Sequence, residues 1–141
     1  MPRIPRAAAA GLVALLCLAW GGGCASTQIG SGPVYPAAAT RTGSLDIHVI
    51  RRGTRIELTN TTARAFGRGT LWLNSYWGRT LDSLAVGESL DLSLRDFRDE
   101  YGEPFRAGGF FARERPDKIV LAELEIDGKL LGLVVVPGEG E

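Results

Sequence analysis

Cysteine is confined to the start of the chain, at Cys17 and Cys24, and the rest of the 141 residues have none. A disulfide framework and a cysteine-rich zinc site are therefore excluded for the body of the protein. Histidine is scarcer still: His48 stands alone, so a multi-histidine metal site is excluded as well. Net charge is absent, with 16 basic and 16 acidic residues in balance. Nucleic acid is excluded as a partner, because its binding needs a basic surface that displaces counterions. There is no Gly-x-Ser-x-Gly turn to present a serine nucleophile, and His48 sits at a polar position of an alternating run, facing solvent. No long stretch carries helical period. No apolar run reaches the roughly 20 residues that a membrane-spanning helix requires.

What is present begins with the N-terminus. Arg3 and Arg6 precede an apolar run from Ala7 to Trp20, and Gly21, Gly22, Gly23 and Cys24 follow. A positive start, a short apolar centre and small residues at its end make residues 1–23 a secretory signal peptide. Removing it takes away two arginines and leaves the remainder about two charges negative, again no match for a polyanion. The stretch LAWGGGCAST resembles the signal of bacterial lipoproteins, in which small residues precede a cysteine that receives diacylglycerol and becomes the first residue of the mature chain. The resemblance implies cleavage between Gly23 and Cys24 and lipid on Cys24. Gly22 and Gly23 occupy the small positions, and Gly21 stands where that family carries Leu or another aliphatic residue. Cys17 is a poorer match, since bulky Leu16 precedes it. A multiply acylated cysteine anchors stably where a single chain binds only marginally. Position 25 is Ala rather than Asp, which by resemblance points to the outer membrane where the cell has one. The competing reading is an ordinary signal peptide with a nearby thiol.

Residues 24–43 are small, polar and proline-containing, and read as a flexible linker that spans roughly 50 Å at about 3 Å per residue. The alternative is that Val34 and Tyr35 pack on the domain as an edge strand. From residue 44 to 137 the pattern changes to short alternating runs, with 138–141 as a tail. Strands are expected at Leu45–Val49, Ile56–Leu58, Thr70–Tyr76, Arg79–Leu84, Ser89–Arg95, Gly109–Arg113, Lys118–Ile126 and Lys129–Val136. Gly53-Thr54 and Asp127-Gly128 supply hairpin turns. Asn60 ends a strand by bonding its own backbone. Its Asn-Thr-Thr sequon is a chance match beside a bacterial-type signal. The apolar Leu130–Val136 run suits a central strand. The expected fold is all-β, an antiparallel sandwich of about 7–8 strands, with a small barrel as the alternative. The pattern IELTNTTARAFGRGTLWLN…LAVGESLDLSLRDF resembles bacterial immunoglobulin-like sandwich modules.

Two clusters invite a functional reading. Asp96, Asp99, Glu100 and Glu103 lie within SLRDFRDEYGEPFRAGGFF, but Arg98 falls where a calcium loop needs an oxygen ligand. The expectation there is a short helix capped by Asp96, with Phe97 and Tyr101 meeting at i,i+4 and Gly102 ending it. The same acids could serve a glycosidase as acid and base. Trp72, Tyr76 and Trp77 in LWLNSYW are the candidate ligand or partner contacts. If Leu71 and Leu73 face inward, Trp72 and Tyr76 lie on the opposite face, placed to stack on sugar rings; otherwise Trp72 is the inward residue. No metal and no cofactor are expected. The expected function is a non-enzymatic binding or structural module of the bacterial cell envelope. The membrane is contacted through lipid at Cys24, on the cell or outer membrane, and an envelope protein or glycan is the partner. Rival readings are a glycan- or peptidoglycan-binding module and an envelope hydrolase with a carboxylate pair.

Overall fold

The computed structural model describes residues 31–138. The signal peptide, Gly23 and Cys24 lie outside them. The described chain is all-β. Its strands are β1 (Thr40–Arg52), β2 (Arg55–Asn60), β3 (Gly69–Leu73), β4 (Trp77–Leu81), β5 (Ser89–Ser93), β6 (Ala122–Ile126) and β7 (Lys129–Val136), with a 3-10 turn at Leu94–Asp96. They form one seven-stranded sheet in the order β4-β3-β6-β7-β1-β2-β5.

Local chemistry sets the hairpins. Arg52 pairs with Arg55 across Gly53-Thr54, and Gly53 takes a φ of +62°. Ile126 pairs with Lys129 across Asp127-Gly128, whose φ values of +50° and +71° are those of a type I′ turn. Between β3 and β4 the turn is made by Asn74 and Ser75 at φ of 53° and 55°. The Asn74 side chain then ties down the approach to β6: it donates to the Lys118 carbonyl at 2.7 Å and accepts from the Val120 amide at 2.9 Å.

The wholly antiparallel expectation is corrected. β1 and β7, the first and last strands, pair in parallel. The physical cause is the length of β1, 13 residues with register shifts between Arg41 and Ser44 and between Ser44 and His48. Such irregularities bend a strand and increase its twist. β1 thus pairs with β2 from Ile47 to Arg52 and with β7 from Thr40 to Ile50, so the sheet runs on instead of dividing. The sheet curls, and inward residues from both of its ends share one core: Ile47, Val49, Ile56, Leu58 and Leu92 with Leu71, Leu73, Leu81 and Leu124. β7 is central, as its two apolar faces suggested.

The expected strand at Gly109–Arg113 is absent; those residues form an exposed loop, and seven strands remain. β1 begins at Thr40, inside the stretch expected to be linker. The helix expected after Asp96 is replaced by the 3-10 turn, capped by Ser93, whose hydroxyl accepts from the Arg95 amide at 3.3 Å. Phe97 and Phe105 are still buried beneath it, at 0% and 1% exposure, while Tyr101 points out to solvent. Extended pairing of Arg98 with Pro104 and with Gly78 supplants the i,i+4 contact.

The strand directions sort the loops into two ends. At one end lie the 53–54 and 74–76 turns, the long 94–121 segment and the exit of β7. At the other lie the 60–69 and 81–89 connections, the 127–128 turn and the start of β1. Asn60 braces this second end. It is fully buried, its Nδ2 donates to the Arg64 and Ala85 carbonyls at 2.8 Å each, and its Oδ1 accepts from the Thr62 amide at 3.0 Å.

Candidate functional site

Leu71 and Leu73 point into the core, so strand alternation puts Trp72 on the outer face of the sheet. It is nonetheless only 1% exposed. Residues 32–41 cover it. Gly32 lies against the backbone of Arg98 and Asp99, where an added Cβ would fall 1.9 Å from the Asp99 carbonyl oxygen. Pro33 and the Trp72 ring both close over Gly78 of β4, each 2.7 Å from where a Cβ would stand there. Tyr35 packs edge-on against Trp72, with ring centroids 5.2 Å apart.

Two outward carboxylates of β6 complete this lock. Glu123 pairs in register with Trp72 and is 3% exposed. It accepts the Tyr35 hydroxyl at 2.6 Å, the Arg41 Nε–H at 3.0 Å and the Ser75 hydroxyl at 3.3 Å. Arg41 Nη2 also donates to the Tyr35 oxygen at 2.8 Å. Glu125 accepts the Trp72 indole N–H at 2.8 Å. A buried charge costs free energy unless it is paired and hydrogen-bonded, and Glu123 is both. Burial first, and then the Glu123 carboxylate, hold the Tyr35 phenol above its ordinary pKa. The segment expected to be free linker is thus, from residue 32 onward, a strap bound to the sheet. Tyr35 does pack on the domain, though not as a strand, and Val34 stays exposed.

This revises the expected contact set of Trp72, Tyr76 and Trp77. Trp72 is neither an exposed stacking platform nor an inward core residue; it is an outer-face residue roofed by the strap. Trp77 is half-buried, edge-on between Tyr76 at 4.8 Å and Phe105 at 4.9 Å. Tyr76 alone of the three is substantially open, at 43% exposure. Tyr76 and Trp77 border a shallow cleft of about 390 Å³ with Asp99, Glu103, Pro104, Arg106 and Glu114. Burial first, and then nearby Asp99, raise the Tyr76 phenol above its ordinary pKa.

Two carboxylates of the 94–106 segment, Asp96 and Asp99, are engaged with a cation and with backbone. Asp99 is 5% exposed, and its Oδ1 accepts the amides of Tyr101 at 3.0 Å and Glu103 at 2.8 Å. That arrangement closes the 99–103 turn, which Gly102 completes at a φ of 87°. Asp96 Oδ2 stands 3.2 Å from Arg79 Nη1. Among the described residues no group of three or more His, Cys, Asp or Glu is placed to hold a metal. His48 has its Nε2 3.0 Å from Asp46 Oδ1 at a partly exposed position of β1.

Family models, curated proteins and solved structures yield no match to this chain. Its own residues carry the functional argument. Two residues that no motif marked, Arg41 and Glu123, prove central, together with Tyr35, which the sequence offered only as part of an edge strand. The signal for them was faint, a lone tyrosine between Pro33 and Pro36 and a tryptophan at an outward strand position that needed a cover.

Proposed function

We propose that this chain is an exported, lipid-anchored, non-enzymatic module of the bacterial envelope, held to the membrane through Cys24. The observation that supports it best is the strap. Residues 32–41 lie locked along the sheet, which holds Gly32, eight residues beyond Cys24, at a fixed point against the domain. Such an arrangement suits a domain held close to its anchor. The buried acids Asp99 and Glu123 are committed to a turn and to the strap, which favours a binding or structural role over hydrolysis.

The immunoglobulin-like reading belongs here as well. Divided at the parallel β1–β7 seam, the sheet gives two antiparallel halves, β4-β3-β6-β7 and β1-β2-β5, folded over one core. We propose that these halves correspond to the two layers of a sandwich, joined here into one curled sheet by the first strand.

Cys24→Ser tests the anchoring. The variant is expected in the soluble envelope fraction with no incorporated fatty acid; retention in the membrane would refute it. Glycan recognition survives as a second reading only at the Tyr76–Trp77 cleft. It requires that Tyr76→Ala abolish binding to envelope glycans.

A further inference from the structure

The 106–117 loop is fixed at its base and bare at its tip. Arg51 Nη1 donates to the Asp117 carbonyl at 2.5 Å and its Nη2 to the Ala107 carbonyl at 2.9 Å. Arg106 pairs with Asp117 at 3.1 Å and with Glu114 at 3.2 Å, and the Asp117 amide donates to the Arg106 carbonyl at 2.9 Å. Arg95 reaches the Gly108 carbonyl at 3.2 Å. Beyond this clasp the chain turns through Gly108 and Gly109, at φ of 78° and 124°, and presents Phe110 and Phe111 at 95% and 91% exposure. The two rings contact each other edge-on at 5.0 Å. No other large hydrophobic side chain of the described residues is so exposed.

We propose that Phe110 and Phe111 enter the interfacial layer of the bilayer on which the chain is anchored, with Arg113 and Arg115 on its anionic headgroups. This rests on the anchoring proposed above. Three observations choose a lipid surface as the occupant. First, the strap brings the chain out at Gly32 against Asp99, and Asp99 shares its cleft with Arg106 and Glu114 of this loop. Gly32 and the phenylalanine tip therefore lie at the same end of the domain. Second, eight residues reach at most about 28 Å at roughly 3.5 Å each, which keeps that end beside the membrane. Third, the charge fits: the loop's acids Glu114 and Asp117 are both paired to Arg106, while Arg113 and Arg115 are exposed with no ion pair among the described residues. Exposed aromatics flanked by unpaired arginines suit an anionic interface, where apolar groups bury about 5–10 Å deep.

The test uses the mature lipidated protein in nanodiscs of phosphatidylethanolamine and phosphatidylglycerol. A thiol-reactive fluorophore goes on Ala112→Cys beside the tip, or on Ser83→Cys at the opposite end; no other free thiol remains once Cys24 is acylated. Expected is strong quenching of the Ala112→Cys label by spin-labelled lipid and none at Ser83→Cys. Combining Ala112→Cys with Phe110→Ser and Phe111→Ser is expected to reduce that quenching to the Ser83→Cys level. These phenylalanines are 95% and 91% exposed, so folding should be unaffected, as thermal unfolding of the variant would show. Protein that carries lipid and rides on the discs with both labels unquenched overturns the inference and leaves the anchoring intact. Protein without lipid that leaves the discs empty overturns the anchoring and this inference with it. A shift of the Ala112→Cys label that needs a second copy of the chain or an added envelope protein, without lipid quenching, assigns the tip to a protein contact and also overturns it.

Discussion

Asn60→Ala is the sharpest probe of how this fold is held, because one buried side chain ties together the 60–69 and 81–89 connections, which otherwise meet through the Phe66–Leu84 bridge and the backbone bonds of Asn60 with Gly87 and Glu88. The amide makes three short bonds to backbone, with the Arg64 and Ala85 carbonyls at 2.8 Å each and the Thr62 amide at 3.0 Å, and a longer one to the Leu84 carbonyl at 3.4 Å. It also accepts the Thr62 hydroxyl at 2.7 Å, but that group has the Arg64 carbonyl as a second partner at 3.1 Å. A net hydrogen bond is worth roughly 0.5–1.5 kcal/mol, and a buried group left unpaired costs about 1–3 kcal/mol. Three lost bonds at a fully buried position therefore predict about 3 kcal/mol of destabilisation. Against a total of about 5–15 kcal/mol, that is a large share. Urea unfolding followed by tryptophan fluorescence would measure it, with the slope of the transition unchanged. Asn60→Asp sharpens the test. Its carboxylate keeps the Thr62 contacts but sets an oxygen against two carbonyls, so its pKa rises in the folded state. The loss is then largest near neutral pH and shrinks as pH falls toward the unfolded carboxylate value of about 3.9. A cost below about 1 kcal/mol for Asn60→Ala would refute the bracing argument.

Other consequences follow from the strap and the 99–103 turn. Gly78→Ala puts a Cβ 2.7 Å from both Pro33 and the Trp72 ring. The strap is expected to lift, with a loss of about 1–3 kcal/mol, part of what burying a tryptophan contributes, and the Trp72 indole proton should exchange with water much faster in NMR spectra. Asp99→Asn keeps the oxygen that accepts the Tyr101 and Glu103 amides and should fold as the parent does, whereas Asp99→Ala loses both bonds and about 2 kcal/mol. A hydrolase using Asp99 would lose activity in both variants, so a substrate turned over by the parent and by neither variant would overturn the structural assignment. The Tyr35 pKa is raised, so its contribution is intact below the unfolded value near 10 and disappears as pH rises through the folded one. Tyrosinate absorbance should show late-titrating phenols, of which Tyr35→Phe removes one and leaves that of Tyr76, together with strap release at alkaline pH.

Which parts of this were legible in the sequence follows from range. The two-residue turns at Gly53-Thr54 and Asp127-Gly128 are local chemistry, and both form where the residues indicate. Asn60 likewise bonds its own neighbour, Thr62. The β1–β7 pairing joins the two ends of the domain in parallel and has no turn to announce it. Trp72 was ambiguous for a related reason: alternation tells which face a residue takes, and says nothing of what lies on that face. The cover came from residues 32–41, whose proline and small residues resemble linker. Glu123 and Glu125 stood at outward positions that usually meet water, so their role under the strap was hidden too. At Gly109–Arg113 the apolar pair Phe110-Phe111 imitated a strand, yet Gly108 and Gly109 at positive φ turn the chain out of the sheet.

The central claim is that the domain is held to a membrane through its first mature residue. Mass measurement of the protein purified from membranes tests it most directly. The account predicts an N-terminal peptide beginning at Cys24 and carrying acyl chains on that cysteine. A chain that begins at Met1, or at an unmodified residue beyond Cys24, would contradict it.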